Sequence, residues 1–161
     1  MADPMPKVSA IVHVRDPNDR LGRTLQTLHP CDEIIVINHS SDEETAKTAR
    51  QYGANVRKGI PGVEEGAYVI DAKNDWILCV RPDETLSEGL EAALFEWKDS
   101  EPGPADSYVV SVREQTKDGW REHPPEARLV NRKRLNWKGE FPPAKKGAQR
   151  LEGDLLRFKD N

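Results

Sequence analysis

A chain of 161 residues is long enough for one domain with a true core, and its formal charge of −4 argues against non-specific nucleic-acid binding by the chain as a whole. Charged residues make up 32% and hydrophobic ones 36%, so the expectation is a strongly solvated surface around a compact core. The two cysteines, Cys31 and Cys79, have neither zinc-site nor disulfide-framework spacing, and no apolar run approaches transmembrane length, which points to a cytoplasmic protein in a reducing compartment.

Val8 to Val14 is rich in β-branched residues and reads as the first strand. Arg15 to Asp19 is a turn cluster opening a helix with Leu21, Leu25 and Leu28 on one face, and His29-Pro30 ends it. Glu33 to Ile37 is a second buried strand, followed by Asn38-His39-Ser40-Ser41. Ser41 and Glu44 are spaced as a capping box for the next helix, which carries Ala46, Ala49 and Tyr52 and stops at Gly53. Ala54 to Arg57 is short and strand-like. After a loop from Gly59 to Gly62, Val63, Ala67 and Ile70 predict one apolar face of a third helix.

Trp76 to Val80 is five apolar residues in a row between Asp75 and Arg81, the pattern of a strand buried on both faces. Cys79 inside it is expected to be a small buried thiol. Its carboxyl end delivers Arg81, Asp83 and Glu84 around Pro82, where open α/β sheets place their ligands. Ser87 caps a helix with Leu90, Ala93, Leu94 and Trp97 at i, i+3, i+4, i+7. This alternation predicts a mostly parallel sheet with helices on both faces.

Ser100 to Asp106, rich in Pro and Gly, is the clearest internal boundary. Beyond it come short strands, Tyr108 to Val112, Trp120 to Glu122, Arg128 to Asn131 and Leu155 to Phe158, with Lys117-Asp118-Gly119 as a hairpin turn. This half is too short and polar for a core of its own, so it is read as an antiparallel extension of one sheet.

Several stretches together resemble family-2 glycosyltransferases of the GT-A fold, in the branch acting on lipopolysaccharide-core or similar acceptors. They are Val8 to Val14, Asp32 to Ile37, Ala49 to Ala54, Asp75 to Leu78, Ala127 to Arg132, Trp137-Lys138-Gly139 and Leu151 to Leu156. The resemblance implies a GT-A (Rossmann-like) α/β domain over 1–161. Residues 1–99 would be its nucleotide-binding half and 107–161 its acceptor-side β extension. It implies a nucleotide-diphosphate sugar as donor, a saccharide or lipid-linked acceptor, and manganese or magnesium held by an Asp-x-Asp pair that neutralises the leaving diphosphate.

The chain departs from that pattern at four places. Asn38 stands where the family has an Asp at the base or ribose. Glu65-Gly66 stands at an Arg-Asn pair lining the donor site. Arg81 replaces the first Asp of the Asp-x-Asp, with Asp83 as the second. Pro142-Pro143 stands where the branch has His-Glu. The donor-site candidates are therefore Asp16, Asn38, Arg81 and Asp83. Two readings stay open for the diphosphate: a metal on Asp83 and Glu84, or no metal, with the Arg81 guanidinium as the cation. Arg81 and Asp83 forming a simple surface ion pair is the plain alternative. The departures also suit an inactive pseudo-glycosyltransferase that binds a protein partner as a scaffold. Arg132, Lys133, Arg134 and Lys138, in a basic run from Arg128 to Arg150, are candidates for an anionic surface, including a peripheral membrane contact; Trp120 and Trp137 are read as core or sheet-face aromatics.

Overall fold

The computed structural model describes residues 5–17, 19–101, 103–145 and 148–158. Asn18 of the expected turn, Pro102 of the expected boundary and Lys146 of the basic run lie outside them. Among the described residues the strands are β1 (Val8–Val14), β2 (Glu33–Asn38), β3 (Asn55–Lys58), β4 (Trp76–Val80), β5 (Glu84–Leu86), β6 (Ser107–Thr116), β7 (Gly119–Asn131) and β8 (Gln149–Phe158). The helices are α1 (Leu21–Gln26), α2 (Glu43–Gln51), α3 (Glu88–Lys98) and a 3-10 helix, Glu65–Asp71. The strands form one sheet in the order β3-β2-β1-β4-β7-β6-β8-β5.

The expected α/β class holds. β1 pairs in parallel with both β2 and β4, and β2 with β3, while β4–β7, β6–β7 and β5–β8 are antiparallel. Every residue of β1 and β4 is buried, as continuous apolar runs require when both faces are covered. Alternation sends Val8, Ala10, Val12, Trp76, Leu78 and Val80 into one core with α1, α2 and α3. Ile11, Ile77 and Cys79 face a second core closed by Tyr68 and Ala72, with Leu135, Trp137 and Phe141 packed at its edge. The first core is helical; the second is roofed by the 3-10 helix and the loop 132–141.

Some local expectations are corrected. The α2 cap is Asp42, whose side chain accepts from the Glu44 N–H at 3.3 Å, so the Ser41–Glu44 box is displaced by one residue. Tyr52 at its end is exposed, while Gly53 at φ 78° terminates the helix as expected. The third helix is 3-10 rather than α. Its threefold turn buries Gly66 and Tyr68 and leaves Ile70 80% exposed, instead of burying Val63, Ala67 and Ile70. The Tyr68 hydroxyl accepts from the Ile60 N–H at 2.7 Å and anchors that turn. In the C-terminal half, two expected short strands are one, β7, running through Pro124 and Pro125. Its register against β6 shifts between Val110 and Val112, where the N–H-less prolines need no ladder partner. Lys117-Asp118 does make the hairpin, with Thr116 paired to Gly119.

Two glycines fix the joints. Gly153, at φ +91°, lies against the start of α3: a Cβ there would sit 2.2 Å from the Leu90 nitrogen. A Cβ on Gly66 would sit 1.9 Å from the Trp137 carbonyl oxygen, and its N–H donates to the Lys138 carbonyl at 2.9 Å. The loop 132–141 is thereby docked on the 3-10 helix.

Candidate functional site at the carboxyl ends of β1 and β4

Chain direction reverses its march across the sheet at β1. From β1 the chain steps outward to β2 and β3, then returns to β4 on the other side. The carboxyl ends of β1 and β4 therefore flank a switch point, where a crevice for ligands forms in open α/β sheets. β1 ends at Val14-Arg15 and β4 at Val80-Arg81, so two arginines stand on its two sides.

Arg81 is 34% exposed at its side chain, and Asp83 holds it as a fork: Nε donates to Oδ1 and Nη2 to Oδ2, both at 3.0 Å. Burial works against its charge, but the bonds and charge of Asp83, with Glu84 and Glu140 behind, raise its pKa further above the ordinary range. Arg15 makes an ion pair with Glu65, the first residue of the 3-10 helix. The Glu65-Gly66 departure thus has a physical reading. Glu65 pairs the cation at the end of β1, and Gly66 admits the loop backbone.

Glu84 corrects an expectation. It is not on an open loop but in β5, 0% exposed, with both oxygens taken. Oε1 accepts from Arg128 Nη1 at 2.7 Å and from the Arg81 N–H at 2.9 Å; Oε2 accepts from Arg128 Nη2 at 2.9 Å and Arg157 Nη2 at 2.9 Å. Burial alone would raise its pKa, yet the Arg128 charge and hydrogen bonds, the Arg81 amide and Arg157 hold it below the usual carboxylate range. Arg128, taken from sequence as part of a basic surface, is itself 0% exposed and stacks on Phe141 at 3.9 Å. With Asp83 occupied by Arg81 and Glu84 by two arginines, these carboxylates do not fit a divalent cation. Among the described residues no group of three or more His, Cys, Asp or Glu could hold a metal.

Asn38 closes the turn after β2: its Oδ1 accepts from the Ser40 N–H at 3.0 Å and the Ser40 hydroxyl at 2.7 Å. Asp16 is exposed beyond β1. Of the basic candidates, Arg132 donates to the Val69 carbonyl at 2.7 Å and Arg134 to the Gly103 and Ala105 carbonyls, so both brace backbone. Lys133 and Lys138 are exposed, Lys133 within 3.7 Å of an Asp75 oxygen.

Three features escaped the sequence reading. His13 Nδ1 and His39 Nε2 share a hydrogen bond at 2.9 Å, with the rings stacked and Tyr68 edge-on to both. Burial, then the neighbouring His39 and Arg15, lowers the His13 pKa to about 4. The parallel pairing of Val14 with Asn38 brings these histidines together, and no spacing along the chain signals it. Glu140, in the docked loop, is half-buried; its pKa is raised by burial against the pull of Arg81, Arg15 and Arg128. Its one sequence signal was being the sole acid in a basic run. Arg15 had no signal beyond its place after the first strand.

No family model matches the chain. It is similar to an uncharacterized glycosyltransferase of Rickettsia felis, 33% identical over 92 residues that make up 54% of this chain and 32% of that protein. A Rickettsia bellii uncharacterized glycosyltransferase is 33% identical over 90 residues, 53% of this chain and 30% of that one. The match thus spans about a third of the length of these curated relatives. Among solved structures, mannosyl-3-phosphoglycerate synthase from Rubrobacter xylanophilus superposes with TM-score 0.47 at 19% identity, over 68% of this chain and 40% of that one. Glucosyl-3-phosphoglycerate synthase from Mycobacterium tuberculosis, in complex with Mn2+, UDP and phosphoglyceric acid, gives TM-score 0.47 at 14% identity, over 68% and 43%. No helix of the described residues is long and apolar enough to cross a membrane.

Proposed function

We propose that the chain is a family-2-type glycosyltransferase domain of the GT-A fold that binds a nucleoside-diphosphate sugar, with Arg81 as the fixed cation at the diphosphate. One observation carries this reading: a part-exposed guanidinium, locked by Asp83 as a planar fork, at the carboxyl end of β4 beside the switch point. A guanidinium matches phosphate oxygens bidentately and cannot deprotonate, so it can stabilise a leaving diphosphate without a metal. The similarity to the rickettsial glycosyltransferases supports the reading.

In this reading residues 1–99 hold the donor, with Asp16 toward the nucleotide, and 107–161 line the side of a saccharide or lipid-linked acceptor. An acceptor hydroxyl attacks the anomeric carbon as the bond to the diphosphate oxygen breaks, the hydroxyl proton passes to that diphosphate oxygen, and the nucleoside diphosphate leaves against Arg81, seconded by Arg15 across the crevice. Asn38 shapes the turn after β2 rather than offering its oxygen, because Ser40 occupies it.

Calorimetric titration with UDP and with GDP, each with and without manganese, tests the proposal. Metal-independent binding that disappears in Arg81→Ala is the expected result. Binding that requires manganese would restore a metal mechanism. Absence of binding to either nucleotide would leave the second reading, a pseudo-glycosyltransferase that binds a protein partner. The observation favouring that alternative is that Asp83 and Glu84 are both already spent on arginines.

A further inference from the structure

Two histidines far apart in the chain form a closed pair on the β1 side of the crevice. His13, in β1, is 5% exposed, and His39 opens the turn after β2; His13 Nδ1 and His39 Nε2 lie 2.9 Å apart. Tyr68 meets both rings edge-on from the 3-10 helix, and its hydroxyl accepts from the Ile60 N–H at 2.7 Å. A Cβ on Gly59 would sit 2.2 Å from His39 Nδ1, so the loop after β3 packs its backbone directly on that ring. His39 therefore swings away from His13 only if this loop moves.

The shared contact sets how many protons the pair can hold. A neutral imidazole has one donor and one acceptor, so one of the two facing nitrogens carries the hydrogen and one outer nitrogen is bare. A first added proton takes that outer nitrogen and keeps the bond. A second would put hydrogens on both facing nitrogens and break it, so the pair titrates as a unit with room for one proton. The charged and titratable groups on the surrounding elements are Arg15 after β1, Lys58 of β3, Glu65 and Tyr68 of the 3-10 helix, Cys79 of β4 and Glu140 of the loop 132–141. Burial comes first in opposing a charge on either ring; Arg15 opposes it too, and Glu65 favours it. Cys79 adds no charge, because burial pushes its thiol up to about 12. Arg15 and Arg81 both act on Glu140, so the two guanidiniums share one crevice. An oxyanion held between them offsets the field of Arg15 at the rings, and the pair's one vacant proton position becomes easier to fill.

We propose that the His13–His39 pair is a proton store coupled to the crevice: an oxyanion bound at Arg15 and Arg81 draws one proton onto the pair, and the protonated pair holds the anion more tightly. Linkage makes the two effects equal in size. The inference rests on the proposed role of the crevice as a diphosphate site. Anion binding there strengthens as the pH falls through the range in which the pair fills.

The probe is sulfate, which remains a dianion throughout the titration and so brings no proton of its own. Nitrogen-15 NMR of the histidine rings follows the full chain from pH 8 to pH 4 in sodium sulfate and in sodium chloride of equal ionic strength. Sulfate is expected to tighten proton binding by the pair about threefold, with backbone shifts at Arg15 and Arg81 reporting the bound anion. Arg81→Gln is expected to remove the sulfate effect and leave the chloride titration nearly unchanged. Glu140→Gln, which removes the other group able to take up a proton there, is expected to leave the effect on the rings in place. The proposal is overturned, and the crevice reading kept, if sulfate shifts Arg15 and Arg81 but leaves the ring titration where chloride puts it. If sulfate moves neither arginine, both fail together. An equal sulfate effect in Arg81→Gln also overturns it, because the anion then acts from elsewhere. Thermal melts of each variant at pH 8 separate an altered titration from lost folding.

Discussion

Asp83 and Glu84 are neighbours in the chain and opposites in the molecule. Asp83 gives both its oxygens to a part-exposed arginine. Glu84 faces inward and is closed off by Arg128 and Arg157 from β7 and β8. The difference comes from the strand that starts at Glu84. Once β5 pairs with β8, alternation throws successive side chains to opposite sides. The buried carboxylate belongs to the scaffold, holding β4, β5, β7 and β8 in place beneath the site. The outer one is spent on Arg81, so what that side presents is the part-exposed guanidinium rather than a free carboxylate.

The largest effect that would break this contrast is expected from Glu84→Gln. It leaves Arg128 buried with its principal anion removed, which costs roughly 3–5 kcal/mol. Arg81→Ala removes only a part-exposed pair and costs at most about 1 kcal/mol. Urea denaturation of both variants measures the gap; equal losses would mean that the two carboxylates do similar structural work.

Next in size is a pH effect confined to the crevice side. His13, lowered from 6.5 to about 4, stays neutral in the fold while the unfolded chain takes up a proton across that range. The groups facing it are His39, Arg15, Glu65 and Tyr68, and the His39 pKa is lowered as well, first by burial and then by Arg15. Stability is therefore complete above about pH 6.5 and declines toward pH 4, by an amount on the order of 3 kcal/mol from His13. Glu84 acts in the same direction at lower pH: its pKa is lowered too, so its contribution is present above the ordinary carboxylate range and is lost only as the pH falls through its lowered value. Urea midpoints at pH 7.5 and 4.5 should converge in His13→Asn if the pair is the cause.

Gly66→Ala probes the hinge between the two sides. The added methyl meets the Trp137 carbonyl, so the loop 132–141 must shift, at about 1–3 kcal/mol. Hydrogen exchange should report faster opening of 132–141 with β1 and β4 protection unchanged.

What could be read from the residues follows the range of the forces. β1, β4, α1 and α3 were legible because an apolar run or a capped apolar stripe is a local pattern, and each lies where its pattern placed it. β5 was not, because three residues become a strand only through β8, some seventy positions away. The same holds for Glu84, whose partners lie 44 and 73 residues along the chain. An acidic pair after a strand reads as a metal site until those arginines are in place. The 3-10 helix failed for a different reason: Gly66 was a contact requirement of a distant loop, which no periodicity expresses.

The smallest expected effect sits on Glu140 and sharpens the crevice side alone. Its carboxylate lies in the field of Arg81 and Arg15 without a hydrogen bond to either among the described residues, and burial raises its pKa. A negative group there competes with any diphosphate for the same two cations. Glu140→Gln removes that competition without altering shape, so UDP affinity should rise by about two- to fivefold, a gain of under about 1 kcal/mol. The gain should be greatest at pH 8, where the carboxylate is charged, and shrink as the pH falls toward its raised pKa. Calorimetry at pH 8 and pH 5.5 checks both features. A loss of affinity instead would mean that Glu140 holds Arg81 or Arg15 in its binding pose, making it a positioning residue rather than a competitor.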